Sequence, residues 1–149
     1  MIEARADEAL INAHRNLLKE DELVIVMGQQ KPDRFSGGMQ LTVTQIWDLD
    51  QARCRFGKHL RVAVNSAEGG KVPDVARMIK EYPVRTETTD QGDVIRGLAV
   101  RLAVALDGEA GAATAELQLG DSFKFFPTNE ALAGWRVQAD QGNSAIVYE

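Results

Sequence analysis

A mixed α+β chain is expected from three features of the sequence. Leu98, Val100, Leu102, Val104 and Leu106 alternate with Ala99, Arg101, Ala103 and Ala105, the period of a half-buried strand. Apolar residues recur at helical spacing before and after that strand. Turn chemistry, Pro32, Gly37-Gly38, Asp107-Gly108 and Gly120-Asp121, separates the periodic runs. The pattern restarts at Gly57 to Leu60, which divides the chain into residues 1–58 and 59–149. The first part holds a helix plus two or three strands. The second reads β-α-β-β-β-α-β, with two helices on one face of a single sheet.

Taken in order, Glu8 to Asp21 carries Leu10, Ala13, Leu17 and Leu18 on one helical stripe. Leu23 to Met27 is a continuous apolar run, expected as a strand buried on both faces or at a sheet centre and ended by Gly28. Gln29 to Gly38 is polar. Met39, Leu41 and Val43 then alternate with Gln40, Thr42 and Thr44, and the alternation slips at Gln45 because Ile46 and Trp47 are consecutive. A bulge or the strand's end would cause that slip. Asp50 can cap a short helix, Gln51 to Phe56, ended by Gly57.

In the second part, Leu60, Val62 and Val64 alternate as a strand. Pro73 suits the first turn of a helix in which Val75, Ile79 and Tyr82 share a face. Pro83 to Gly97 is polar, and Thr86 to Asp93 is expected to be its most mobile part. After the Leu98–Leu106 strand, Asp107-Gly108 opens a hairpin to Thr114–Leu119, and Gly120-Asp121 turns into a third strand, Ser122 to Phe126. Thr128 can cap a helix striped by Leu132, Trp135 and Ala139. Ala145 to Tyr148 closes the order as a strand.

Composition narrows the function. The 149 residues are 44% hydrophobic and 26% charged, ordinary for a packed domain. A net charge of −5 argues against a protein devoted to coating nucleic acid. The one cysteine, Cys54, excludes an internal disulfide and fits a reducing cytoplasm, and the N-terminus has no export signal. No phosphate-cradling or dinucleotide glycine motif is present. His14 and His59 lack metal-ligand spacing, Asp48 and Asp50 read as cap and solvated charge, and Cys54 reads as a packing residue. No metal, cofactor or catalytic residue is therefore expected.

What remains is binding chemistry. Phe35 lies in a loop with Lys31 and Arg34, where it could stack on a base while the cations hold phosphates, or fold back to seal the hairpin. Arg53, Arg55, Lys58, His59 and Arg61 form a basic cluster, either a solvated helix end or a phosphate contact. Phe123, Phe125 and Phe126 on a strand would place aromatics on both faces. With Trp135 they make a candidate partner surface, the alternative being core.

One stretch, LLKEDELVIVMGQQKPDRFSGGMQLTVTQIWDLDQAR, resembles the C-terminal region of the bacterial DNA polymerase III alpha subunit. The resemblance rests on Asp33-Arg34-Phe35-Ser36-Gly37-Gly38 and on Asp48-Leu49-Asp50-Gln51-Ala52-Arg53. Residues 59–149 are similar to that family's terminal domain in element order and in the spacing of Gly120, Phe123 and Pro127. The resemblance implies residues 1–58 as the C-terminal half of an OB-fold domain and 59–149 as a terminal domain that binds the tau subunit of the clamp loader. It also implies a non-catalytic segment of a larger replicative polymerase, whose catalytic carboxylates lie elsewhere. Single-stranded template would then touch Lys31, Arg34, Phe35, Arg53, Arg55 and Lys58. A stand-alone OB module for single-stranded nucleic acid is the alternative, and an open barrel edge could pair two copies. The family has an apolar strand ahead of its first helix. This chain has Glu3-Ala4-Arg5-Ala6-Asp7, a poor strand by propensity.

Overall fold

The computed structural model describes residues 2–108 and 111–149, and among them are nine strands and four α-helices. The chain forms two compact units, Met1–Ala52 and Arg53–Glu149.

In the first unit, strand β1 (Glu3–Arg5) precedes helix α1 (Glu8–Ala13), strands β2 (Ile25–Pro32) and β3 (Met39–Trp47), and the first turn of helix α2 (Leu49–Phe56). The sheet order is β1-β3-β2, with β1 parallel and β2 antiparallel to β3. The expected poor strand is thus a strand after all. Glu3, Ala4 and Arg5 are all exposed and pair with Gln40, Leu41 and Thr42, so backbone bonding alone suffices. Asp7 then caps α1 by accepting from the Leu10 amide.

The α1 helix stops at Ala13, well short of the expected Asp21. None of its residues is buried, so no packing offsets the poor helix propensity of His14 and Asn16. The apolar run Leu23–Met27 is not buried on both faces either. It opens β2, an edge strand, with Leu23, Val26 and Met27 exposed.

Gly28 does not end β2. It sits at a bulge, where Met27 pairs with Gln45 and Gly28 with Val43, leaving Thr44 as the extra residue. The Thr44 hydroxyl donates to the Met27 carbonyl at 3.1 Å. The extra residue shifts the alternation by one, which returns Ile46 to the face of Val43, and both are buried. A Cβ on Gly28 would lie 2.0 Å from the Thr42 carbonyl oxygen, so only glycine fits.

The second unit holds β4 (Gly57–Asn65), α3 (Val75–Glu81), β5 (Arg85–Thr89), β6 (Gly92–Arg96), β7 (Val100–Gly108), β8 (Gly111–Gln118), α4 (Asn129–Gln138) and β9 (Ser144–Tyr148). Its main sheet runs β8-β7-β4-β9, with β4 parallel to β7. Leu60 and Val62 pair with Val100 and Leu102, which puts these side chains on one face. Met78 of α3 and Ala131 and Trp135 of α4 pack there with Leu98, Phe125 and Ala139. Thr128 caps α4 as expected, accepting from the Ala131 amide.

Two segments depart from the expected β-α-β-β-β-α-β order. Thr86 to Asp93 lies in a regular hairpin, β5 with β6, turning at Asp90-Gln91 and at Gly92 with φ +111°. Its threonines and Val94-Ile95 are β-branched and suit a hairpin in which no residue is buried. Ser122 to Phe126 is no strand. Asp121–Phe123 makes a 3-10 turn, and a single bridge joins Phe125 to Leu98. Pro127 has no N–H, so the ladder stops at one rung.

The division along the chain falls inside α2, between Ala52 and Arg53, a few residues before the Gly57 to Leu60 division expected from the sequence. The helix runs into β4 with no loop between. Arg53 ties its last turn to the second unit, donating to the Pro127 carbonyl at 3.0 Å and to Asn129 Oδ1 at 2.8 Å.

Candidate nucleic-acid interface

The loop between β2 and β3 is built by Asp33. Its carboxylate accepts from the Phe35 amide at 3.0 Å and from the Ser36 hydroxyl at 2.7 Å. These two donors hold the carboxyl below the ordinary aspartate range. The Asp33 backbone closes the turn at both ends, donating to the Gly38 carbonyl at 2.8 Å and accepting from the Gly37 amide at 3.1 Å. Gly37 takes φ +71°, a conformation that favours glycine.

This scaffold turns Phe35 outward. Its side chain is 100% exposed, so it does not seal the hairpin. Lys31, near the end of β2, and Arg34, in the turn, are also exposed. One hairpin therefore presents an exposed aromatic ring and two exposed cations. Sequence reasoning singled out those three residues and missed Asp33 as their organiser. The signal was available, since an Asp followed by Ser three residues on and then Gly-Gly is an Asx-type turn.

The other three candidate contacts belong to the second unit. Arg53 is engaged by Pro127 and Asn129, a structural role. The Arg55 guanidinium lies 6.0 Å from the Phe56 ring centroid, and Lys58 pairs with Glu149 at 3.6 Å.

The four candidate partner residues separate by burial. Phe125 and Trp135 are fully buried in the core with ring centroids 5.5 Å apart, and Phe126 is buried beneath the Arg85 guanidinium, 3.9 Å from its ring. The irregular backbone at 124–127 lets both consecutive phenylalanines turn inward, which a strand would forbid. Only Phe123, 40% exposed, offers surface.

His59 is buried in β4 near Arg101, Arg61 and Lys58. Burial first, then the nearby cations, depress its basicity, and Glu116 partly offsets them. Among the described residues no three His, Cys, Asp or Glu side chains are grouped to hold a metal ion, and no helix is long and apolar enough to cross a membrane.

Comparison with known proteins yields one recurring name. The chain is 26% identical to the DNA polymerase III subunit alpha of Pseudomonas aeruginosa over 147 residues, 99% of this chain and 11% of that protein. It is 30% identical to the namesake in Haemophilus influenzae over 115 residues, 77% of this chain and 9% of that one. Against that of Pasteurella multocida the identity is 33% over 70 residues, 47% and 6% of the two chains. The chain thus spans about a tenth or less of the length of the curated relatives it matches. No family model and no solved structure matches it.

Proposed function

The chain is related to the DNA polymerase III alpha subunit, and we propose that it works in DNA replication, as a non-catalytic module of the replicase. Its first unit would contact single-stranded DNA. The observation that carries this reading is the fully exposed Phe35 on a loop locked by Asp33, in a hairpin that also exposes Lys31 and Arg34. An aromatic held out by hydrogen bonds is preorganised for stacking, and the two cations can track the phosphates.

Titration of the chain with a fluorescent oligodeoxythymidylate at several salt concentrations tests it. Phe35→Ala should lose about 1–3 kcal/mol of binding. Lys31→Ala and Arg34→Ala should each flatten the salt slope by about one unit or less. Unchanged affinity and slope in all three would reduce the loop to hairpin closure.

The tau subunit of the clamp loader is the partner we propose for the second unit, on the strength of the resemblance. With Phe125, Phe126 and Trp135 in the core, Phe123 is the aromatic left to anchor it. Phe123→Ala should weaken capture by tau with little change in thermal stability.

A further inference from the structure

Where α2 runs into β4, the backbone gathers two aromatic rings and two cations around one cleft. Arg55, Phe56, Gly57, Lys58, Tyr148 and Glu149 line a cavity of about 340 Å³, within the range of small-ligand sites. All six belong to the second unit. Phe56 is 44% exposed and Tyr148 50% exposed, high values for side chains of their size.

The local register produces this grouping. Tyr148 pairs with Gly57 and Val147 with His59, so Lys58 is an extra residue at a bulge. Bulges re-aim side chains and sit beside functional sites more often than chance. Gly57 contributes only backbone, and a Cβ there would lie 2.5 Å from the Arg53 carbonyl oxygen and 2.9 Å from Leu98. The Lys58–Glu149 pair that crosses the cleft is exposed on both sides and so is cheaply exchanged for another anion.

We infer that this cleft is a second contact for single-stranded nucleic acid. It takes one nucleotide, the base against Tyr148 or Phe56 and the adjoining phosphate on Lys58 and Arg55. Every base has a π-face, so such a site tolerates any sequence. The phosphate displaces the Glu149 carboxylate from Lys58. The inference rests on the replication reading, but it uses a surface that the β2–β3 loop does not contribute to.

An oligodeoxynucleotide bearing 5-iodouracil, irradiated with the full chain and mapped by mass spectrometry, tests the site directly. Attachment is expected at Tyr148 or Phe56. Tyr148→Ala should weaken binding about 5- to 150-fold, and Tyr148→Leu, which keeps apolar bulk in β9, should weaken it comparably. Glu149→Gln should tighten binding by freeing Lys58. Attachment confined to Phe35, with affinity indifferent to the Tyr148 and Glu149 variants, overturns this site and leaves the loop reading standing. In that case Arg55 serves only to neutralise the negative end of α2. Attachment at Tyr148 with no effect of Phe35→Ala supports this site and removes the loop. No attachment and no binding at low salt overturns both.

Discussion

The two units begin from similar sequence patterns and end with different interiors. Both have alternating strands and striped helical segments, yet the second assembles a contiguous core around Trp135, Phe125, Leu60, Val62 and Val100. In the first, α1 buries nothing, and Ile2, Ile11, Leu18, Leu23, Met27 and Met39 remain exposed. The difference lies in layers. Two helices cover one face of the second unit's main sheet, whereas the first unit sets a six-residue helix beside three strands. An apolar stripe is only an offer of burial, and it takes a second layer to accept it.

The largest test of that contrast is a matched pair of truncations. Trp135→Ala should cost about 3–5 kcal/mol in denaturant unfolding of the second unit. Leu23→Ala, at a site 67% exposed, should change stability by no more than about 0.5 kcal/mol. Similar costs for the two would mean Leu23 is packed in a way that its exposure does not reveal.

Gly28→Ala comes next, because its Cβ would meet the backbone of Thr42 and Val43 with no flexible side chain to yield. Overpacking there should cost about 1–3 kcal/mol. Hydrogen exchange would locate the damage, with β2 and β3 amides exchanging faster and those of the second unit unchanged. Arg53→Ala removes two charge-assisted donors to Pro127 and Asn129, at a cost of about 1.5–3 kcal/mol. Lysine at this position should rescue little, since it lacks the forked donors. A full rescue by lysine would show that charge alone matters.

The smallest expected effect is one of pH. The folded protein holds His59 below its ordinary basicity, so the folded state resists its protonation more than the unfolded chain does. Its contribution is intact above the unfolded imidazole value and is lost as pH falls through the depressed folded value. A His59→Gln variant should therefore show a shallower loss of stability than the wild type below about pH 6.5. Identical acid limbs would mean His59 does not couple folding to protons.

Several elements were legible because one-dimensional rules govern them. The alternation of Leu98 to Leu106 requires a half-buried strand, and Thr128 ahead of a striped run is a helix cap. The slip at Gln45 marked the bulge that re-aims Ile46. Asp33, Ser36 and the glycine pair carry the loop geometry in their own local hydrogen bonds, a signal the sequence reading passed over, and so it left the direction of Phe35 open. The two motif stretches were also enough to point to the relatives.

Tertiary structure decided the rest. Glu3–Arg5 became a strand only because β3 offered a backbone edge. Phe125 and Phe126 both turned inward because the single bridge to Leu98 left the chain free to depart from strand geometry. Arg53 left the basic cluster for Pro127 and Asn129, 74 and 76 residues away along the chain. Phe56 and Tyr148 met across a cleft because β9 pairs with β4. In each case the deciding partner is distant in sequence, and local propensity carries no term for it.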